Sequence, residues 1–101
     1  VLGVKKETLR NYGAVSEEVV CEMVEGALSL SNSQLGVAIS GIAGPGGGTK
    51  ERPVGTVCIA WLREGEEVHS TTELFSGNRN EVRYATVECA LINAIRLVKE
   101  N

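Results

Sequence analysis

From Glu17 to Ser31 the apolar residues Val20, Met23, Val24, Ala27 and Leu28 recur every three or four positions, which predicts an amphipathic helix over residues 17–31. Ser16 in front of it is an N-cap residue, and Glu17 and Glu18 fall in the first turn, where acidic groups complement the helix dipole. A shorter helix is predicted from Lys5 to Asn11, ended by Gly13, a residue suited to a left-handed stop. After the break at Ser31-Asn32-Ser33 the period is lost. Leu35-Gly36-Val37-Ala38-Ile39 runs straight into Ser40 and reads as a strand over 35–40, buried on both faces. Val54 to Leu62 is a second such run, rich in β-branched residues. Arg63-Glu64-Gly65-Glu66 is a hairpin signal, and Glu67 to Phe75 alternates as a half-exposed strand paired with the one before. Ser76-Gly77 ends it. Asn78, with Glu81 three residues on, has capping-box spacing, and residues 79–99 continue as one long helix with an apolar stripe including Val82, Ala85, Cys89, Ile92 and Ile95.

The predicted order is α-α-β-β-β-α, an α/β fold. Two strands buried on both faces require helices on each side of the sheet. The 101 residues make one domain, 1–101, without internal repeat, linker or low-complexity segment. A further strand and helix ahead of Val1 would complete the layers, and a start at Val1 rather than methionine suggests a piece of a longer chain.

Composition narrows the classes. An apolar fraction of 43% with 23% charged residues is that of a soluble globular protein. No apolar run approaches the roughly 18 residues of a membrane span, and no secretory pattern is visible. The net charge of −3 and the scattered aromatics argue against nucleic-acid binding. Cys21, Cys58 and Cys89 lie far apart among apolar residues and read as reduced core thiols. His69 is the single histidine, so no metal site is expected, and its place in an alternating strand marks it as solvent-facing.

The candidate chemistry lies in Ser40-Gly41-Ile42-Ala43-Gly44-Pro45-Gly46-Gly47-Gly48-Thr49. Five of the twelve glycines fall between positions 41 and 48, directly after a strand. Such a loop lets backbone N–H groups approach a phosphate or an oxyanion without Cβ atoms in the way. The competing reading is a surface connection of turn formers, disfavoured by Ile42 and Ala43 inside it. The loop is no Walker loop, since Thr49-Lys50 follows Gly48 in the wrong order, and it does not fit the dinucleotide fingerprint. Ser40 either orients a substrate or closes the loop by bonding backbone, with nothing in the sequence to decide. A Ser40–Lys50 nucleophilic pair is the weaker idea, because Lys50-Glu51-Arg52 looks solvated. Arg79 and Arg83, four apart, share one side of the last helix near its N-terminus. They suit an anion, although exposed helix faces commonly carry such charges. Gly55 reads as close packing; Thr56 either contacts a ligand or pairs across the sheet.

Four segments together resemble a known family. Val15-Ser16-Glu17-Glu18-Val19-Val20, Ile39 to Gly48, Arg52-Pro53-Val54-Gly55-Thr56-Val57 and Phe75-Ser76-Gly77-Asn78-Arg79-Asn80-Glu81-Val82-Arg83 are similar, in order and spacing, to the C-terminal domain of the CinA family. The resemblance covers essentially the whole chain, as the last two-thirds of that domain. It implies a layered α/β/α sandwich around a mixed sheet. It also implies a bacterial, cytoplasmic hydrolase that deamidates nicotinamide mononucleotide to nicotinate mononucleotide and ammonia, without metal or organic cofactor. The family's nucleophilic serine and the assisting tyrosine and lysine belong to segments expected upstream of Val1, so no catalytic residue is expected in this chain. What carries over is substrate binding: Ser40, Gly41, Ile42, Ala43, Gly44, Pro45, Gly46, Gly47, Thr56, Arg79 and Arg83. Arg52 stands where the family commonly has lysine and Asn78 where it has aspartate. The expected partners are a small-molecule nucleotide and further copies of the chain, with neither nucleic acid nor membrane. The rival expectation is a truncated, non-catalytic homologue serving as a nucleotide-binding or oligomerisation module.

Overall fold

The computed structural model describes residues 3–31, 34–42, 50 and 53–99. Helix α1 spans Lys6–Tyr12 and stops at Gly13, whose N–H donates to the Leu9 carbonyl at 2.9 Å. Helix α2 spans Glu17–Leu30. Its cap is Ser16, fully buried, whose hydroxyl accepts from the Val19 amide at 3.2 Å and donates to the Gly13 carbonyl at 2.9 Å. One side chain holds α1 onto α2: Glu22 accepts from the Thr8 hydroxyl at 2.6 Å and from the Lys5 amide at 2.8 Å. The Thr8 bond first, then the Lys5 bond, favours the ionised carboxylate and holds the Glu22 pKa below its ordinary value.

Strands β1 (Leu35–Gly41), β2 (Thr56–Arg63) and β3 (His69–Leu74) form one sheet in the order β1-β2-β3. Ile39 stands opposite Ile59, and Ile59 opposite Thr71. The β2–β3 hairpin turns where predicted, with the Glu66 amide on the Arg63 carbonyl at 3.0 Å. The mixed sheet implied by the resemblance is not what these strands make, because both pairings are antiparallel. A parallel pair needs a crossover element between its strands, and here both early helices precede β1 while the last follows β3.

Helix α3 spans Arg79–Lys99, and its start is a reciprocal capping box. The Glu81 amide donates to Asn78 Oδ1 at 2.9 Å, and the Asn78 amide donates to Glu81 Oε1 at 2.8 Å. The sheet thus lies between α2 on one face and α3 on the other. Val20, Val24, Ala38, Cys58 and Ala60 form one core, and Val57, Ile59, Trp61, Val82 and Ala90 form the second. Trp61 ties α3 down further, its indole N–H donating to the Ala90 carbonyl at 3.0 Å.

Two expectations about burial need correction. Strand β2 is buried on both faces as predicted, but β1 is not: of its side chains only Ala38 is buried, while Val37 and Ile39 are about two-fifths exposed. The cause is placement. Helix α3 sits over the central strand and leaves the same face of β1 open. The α3 stripe is also rotated from the one predicted. Val82, Thr86 and Ala90 meet the sheet, with Cys89 partly buried beside them, whereas Ile92 and Ile95 are exposed. Thr86 and Ala90 are small enough to bring the helix onto Trp61 and Ile59.

Candidate functional site

Where α3 begins and β1 ends, the open strip above β1 becomes a groove. A cavity of ≈ 420 Å³ is lined there by Ile39, Gly41, Ile42, Val57, Arg79, Val82, Arg83, Thr86 and Val87. That volume lies within the range of small-molecule sites. Alternation along β1 decides which of its residues take part. Ile39 and Gly41 share the face of their partners Ile59 and Val57, toward α3. Ile42 extends the ladder past the strand end: its amide donates to the Thr56 carbonyl and its carbonyl accepts from Gly55, both at 2.9 Å. Gly55 also accepts from the Phe75 amide at 3.0 Å, with φ at 97°. A Cβ there would overlap the Phe75 carbonyl oxygen, so close packing accounts for this glycine.

The other wall is the first turns of α3. Arg79 and Arg83 are both exposed at the groove, one helical turn apart. Among the described residues neither forms an ion pair within 4.0 Å. The floor between them is aliphatic. The arrangement therefore offers two free guanidinium groups beside a helix N-terminus, above an apolar surface. Such a site can hold an anion attached to an apolar or flat body.

It offers no bond-making chemistry among the described residues. The Thr86 hydroxyl is engaged with the Val82 carbonyl at 2.7 Å, and no His, Cys or carboxylate lines the groove. The thiols lie elsewhere. Cys58 is buried, and burial pushes the thiol pKa of Cys21 and of Cys89 up, the direction that makes a thiol a poorer nucleophile. No group of three or more His, Cys, Asp or Glu that could hold a metal occurs among the described residues. His69 is exposed, as is Lys50.

Of the residues expected from sequence to bind substrate, the structure brings Gly41, Ile42, Arg79 and Arg83 together. Ser40 and Thr56 lie off this groove. Ser40 points to the opposite face of β1, where its hydroxyl donates to the Ala14 carbonyl at 2.7 Å. Thr56 is buried, and its hydroxyl donates to the Pro53 carbonyl at 2.6 Å, closing the turn into β2. Ala43, Gly44, Pro45, Gly46 and Gly47 lie outside the described residues. Sequence reading missed Ile39, Val57, Val82, Thr86 and Val87 as lining. The period-2 step from Gly41 back to Ile39 and the helical steps from Arg79 and Arg83 carried that signal.

An α/β sandwich with a cationic groove at a strand end is the class defined so far. The comparisons place it more closely: residues 1–98 match the CinA C-terminal domain, and the chain belongs to that family. It is 52% identical over 101 residues to a CinA-like protein of Thermotoga neapolitana, covering 99% of this chain and 24% of that one. It is 48% identical over 91 residues to the nicotinamide-nucleotide amidohydrolase PncC of Escherichia coli K12, covering 90% of this chain and 55% of that protein. Its fold matches the competence/damage inducible protein CihA of Agrobacterium tumefaciens with a TM-score of 0.91 at 43% identity, covering 95% of this chain and 59% of that one. The chain thus spans about a quarter of the first relative and just over half of the second. No helix among the described residues is long and apolar enough to cross a membrane.

Proposed function

We propose that this chain supplies the substrate-binding wall of a nicotinamide-nucleotide amidohydrolase, a bacterial cytoplasmic enzyme of pyridine-nucleotide salvage that releases ammonia from nicotinamide mononucleotide. The observation that carries the reading is the convergence of Gly41, Ile42, Arg79 and Arg83 on one groove, in a chain 48% identical to a protein of that activity. In this reading the guanidinium groups of Arg83 and Arg79 hold the anionic part of the nucleotide, and the aliphatic floor takes its uncharged part. The attacking serine and its activating groups come from segments outside these 101 residues, and neither metal nor organic cofactor takes part. Ser40 and Thr56 serve from behind, holding the strand end and the turn that carry the groove. The chain associates with further copies of itself, with no role for nucleic acid or membrane.

The test is kinetic. In a longer homologue carrying the whole domain, Arg83→Met raises KM or lowers kcat at least tenfold, a loss of about 1.4 kcal/mol, and the 101-residue chain alone releases no ammonia. Unchanged kinetics in the variant would remove the anion-binding role. Ammonia release that follows the purified chain through chromatography would place the reacting groups within it.

A further inference from the structure

The first turn of α3 carries Arg79, yet none of its own side chains is buried. Residues 79–81 are exposed, and Val82 is the first side chain of the helix to be buried against the sheet. A first turn of that kind frays unless its orphan amides find partners. Here the partners come from one reciprocal pair. Glu81 accepts from the Asn78 amide at 2.8 Å, and the Asn78 side chain accepts from the Glu81 amide at 2.9 Å. We propose that Glu81 is a positioning residue for anion binding in the groove, acting through Arg79. The role rests on the reading of that groove as the site of the nucleotide's anion.

Glu81 is two residues from each arginine, a spacing at which helical side chains do not face one another. Its carboxylate turns back to the cap, and among the described residues neither arginine forms an ion pair within 4.0 Å. The guanidinium groups are therefore left for a ligand. Gly77 makes room for the fold-back: its φ is 113°, and a Cβ there would come 2.7 Å from Glu81 Oε1. The approach to the cap is fixed as well. The Phe75 amide donates to the Gly55 carbonyl at 3.0 Å, and the Gly55 amide donates to the Ile42 carbonyl at 2.9 Å. The wall at the end of β1 and the start of α3 thus hang from one residue, with only Ser76 and Gly77 between Phe75 and the cap. Closing the box fixes where Arg79 stands relative to Gly41 and Ile42. Arg83 lies one turn further on, between the buried Val82 and Thr86. The two cations are held by different means: Arg79 by a hydrogen-bonded cap, Arg83 by packing.

Steady-state kinetics with nicotinamide mononucleotide test this in a polypeptide that carries residues 1–101 within the whole domain, each variant being folded by circular dichroism. Glu81→Ala raises KM about threefold to tenfold, the scale of losing a cap, with kcat changed less than about twofold. Glu81→Gln keeps an acceptor for the Asn78 amide and removes a negative charge from beside the anion, so KM stays within about twofold or falls. In an Arg79→Met background Glu81→Ala changes KM less than about twofold, whereas in an Arg83→Met background it has its full effect, because coupled residues are non-additive and independent ones add. A KM unmoved by Glu81→Ala, a Gln variant as weak as the Ala variant, or the same effect of Glu81→Ala in both arginine backgrounds overturns the role of Glu81. The groove reading survives any of these as long as Arg83→Met impairs the enzyme. If neither Arg79→Met nor Arg83→Met changes the kinetics, the anion-binding reading itself falls, and the role of Glu81 with it.

Discussion

The two faces of the sheet are built on opposite plans. Facing α2, the strands present Gly36, Ala38, Cys58 and Ala60, small residues that let Val20 and Val24 reach complete burial. A Cβ on Gly36 would stand 3.0 Å from Val24 Cγ2, so the helix lies as close as it can. The α2 N-terminus is clamped to the far strand as well. Glu17 accepts from the Ser70 hydroxyl at 2.7 Å and from the Thr72 hydroxyl at 2.6 Å. Facing α3, β2 presents the bulky Val57, Ile59 and Trp61, and the helix covers that strand alone. The first face is closed over β1 and β2 at Ala38, Cys58 and Ala60, and is bridged at β3 by the exposed Ser70 and Thr72. The second keeps an open strip beside β1, and the groove with Arg79 and Arg83 lies at its end. The lesson is that close packing and open space are divided between the faces: one supplies stability, and the other keeps the groove.

Substitutions of one type on the two faces sharpen this contrast most. Val24→Ala removes two methyl groups from a fully buried position and costs about 2–3 kcal/mol, read as a lower urea midpoint at unchanged slope. Val37→Ala, on the open strip, costs about 0.5 kcal/mol or less. Equal losses would break the contrast. Next in size is Trp61→Phe, which takes away the bond to the Ala90 carbonyl. A loss of about 1–2 kcal/mol is expected from the hydrogen bond and the reduced ring, with α3 amides losing exchange protection before those of α2.

The smallest effect concerns α1, held by the Glu22 carboxylate. The folded-state pKa of Glu22 is depressed, so its contribution is present above the unfolded-state pKa and disappears as pH falls through the folded one. Amide exchange in α1 should therefore speed up on acidification before that in α2 does. Glu22→Gln should remove this pH dependence. A variant that keeps it would assign the tether elsewhere.

Local chemistry was legible residue by residue. Ser16, the Asn78/Glu81 capping box, the turn at Gly65 and the six-element order follow from rules that act within a few positions of the chain, and the structure agrees with each. It was also legible that Gly41 and Ile42 end a strand and that Arg79 and Arg83 open a helix, and the structure brings these four to one groove. Which side of β1 each residue faces was not. Ser40 and Gly41 are neighbours in sequence, yet the pleat sends one toward the Ala14 carbonyl and leaves the other at the groove. Nor could periodicity say that α3 rests on β2 alone. Its two apolar stripes, one through Val82, Thr86 and Ala90 and the other through Tyr84, Leu91 and Val98, are both compatible with a buried face. The bulk of Trp61 and Ile59 sets the helix over the central strand on its small residues. The sequence by itself determined the elements, their caps and their order, because those depend on near neighbours. Only the tertiary structure decided which faces meet and where space remains, because that depends on side-chain volumes brought together from distant parts of the chain.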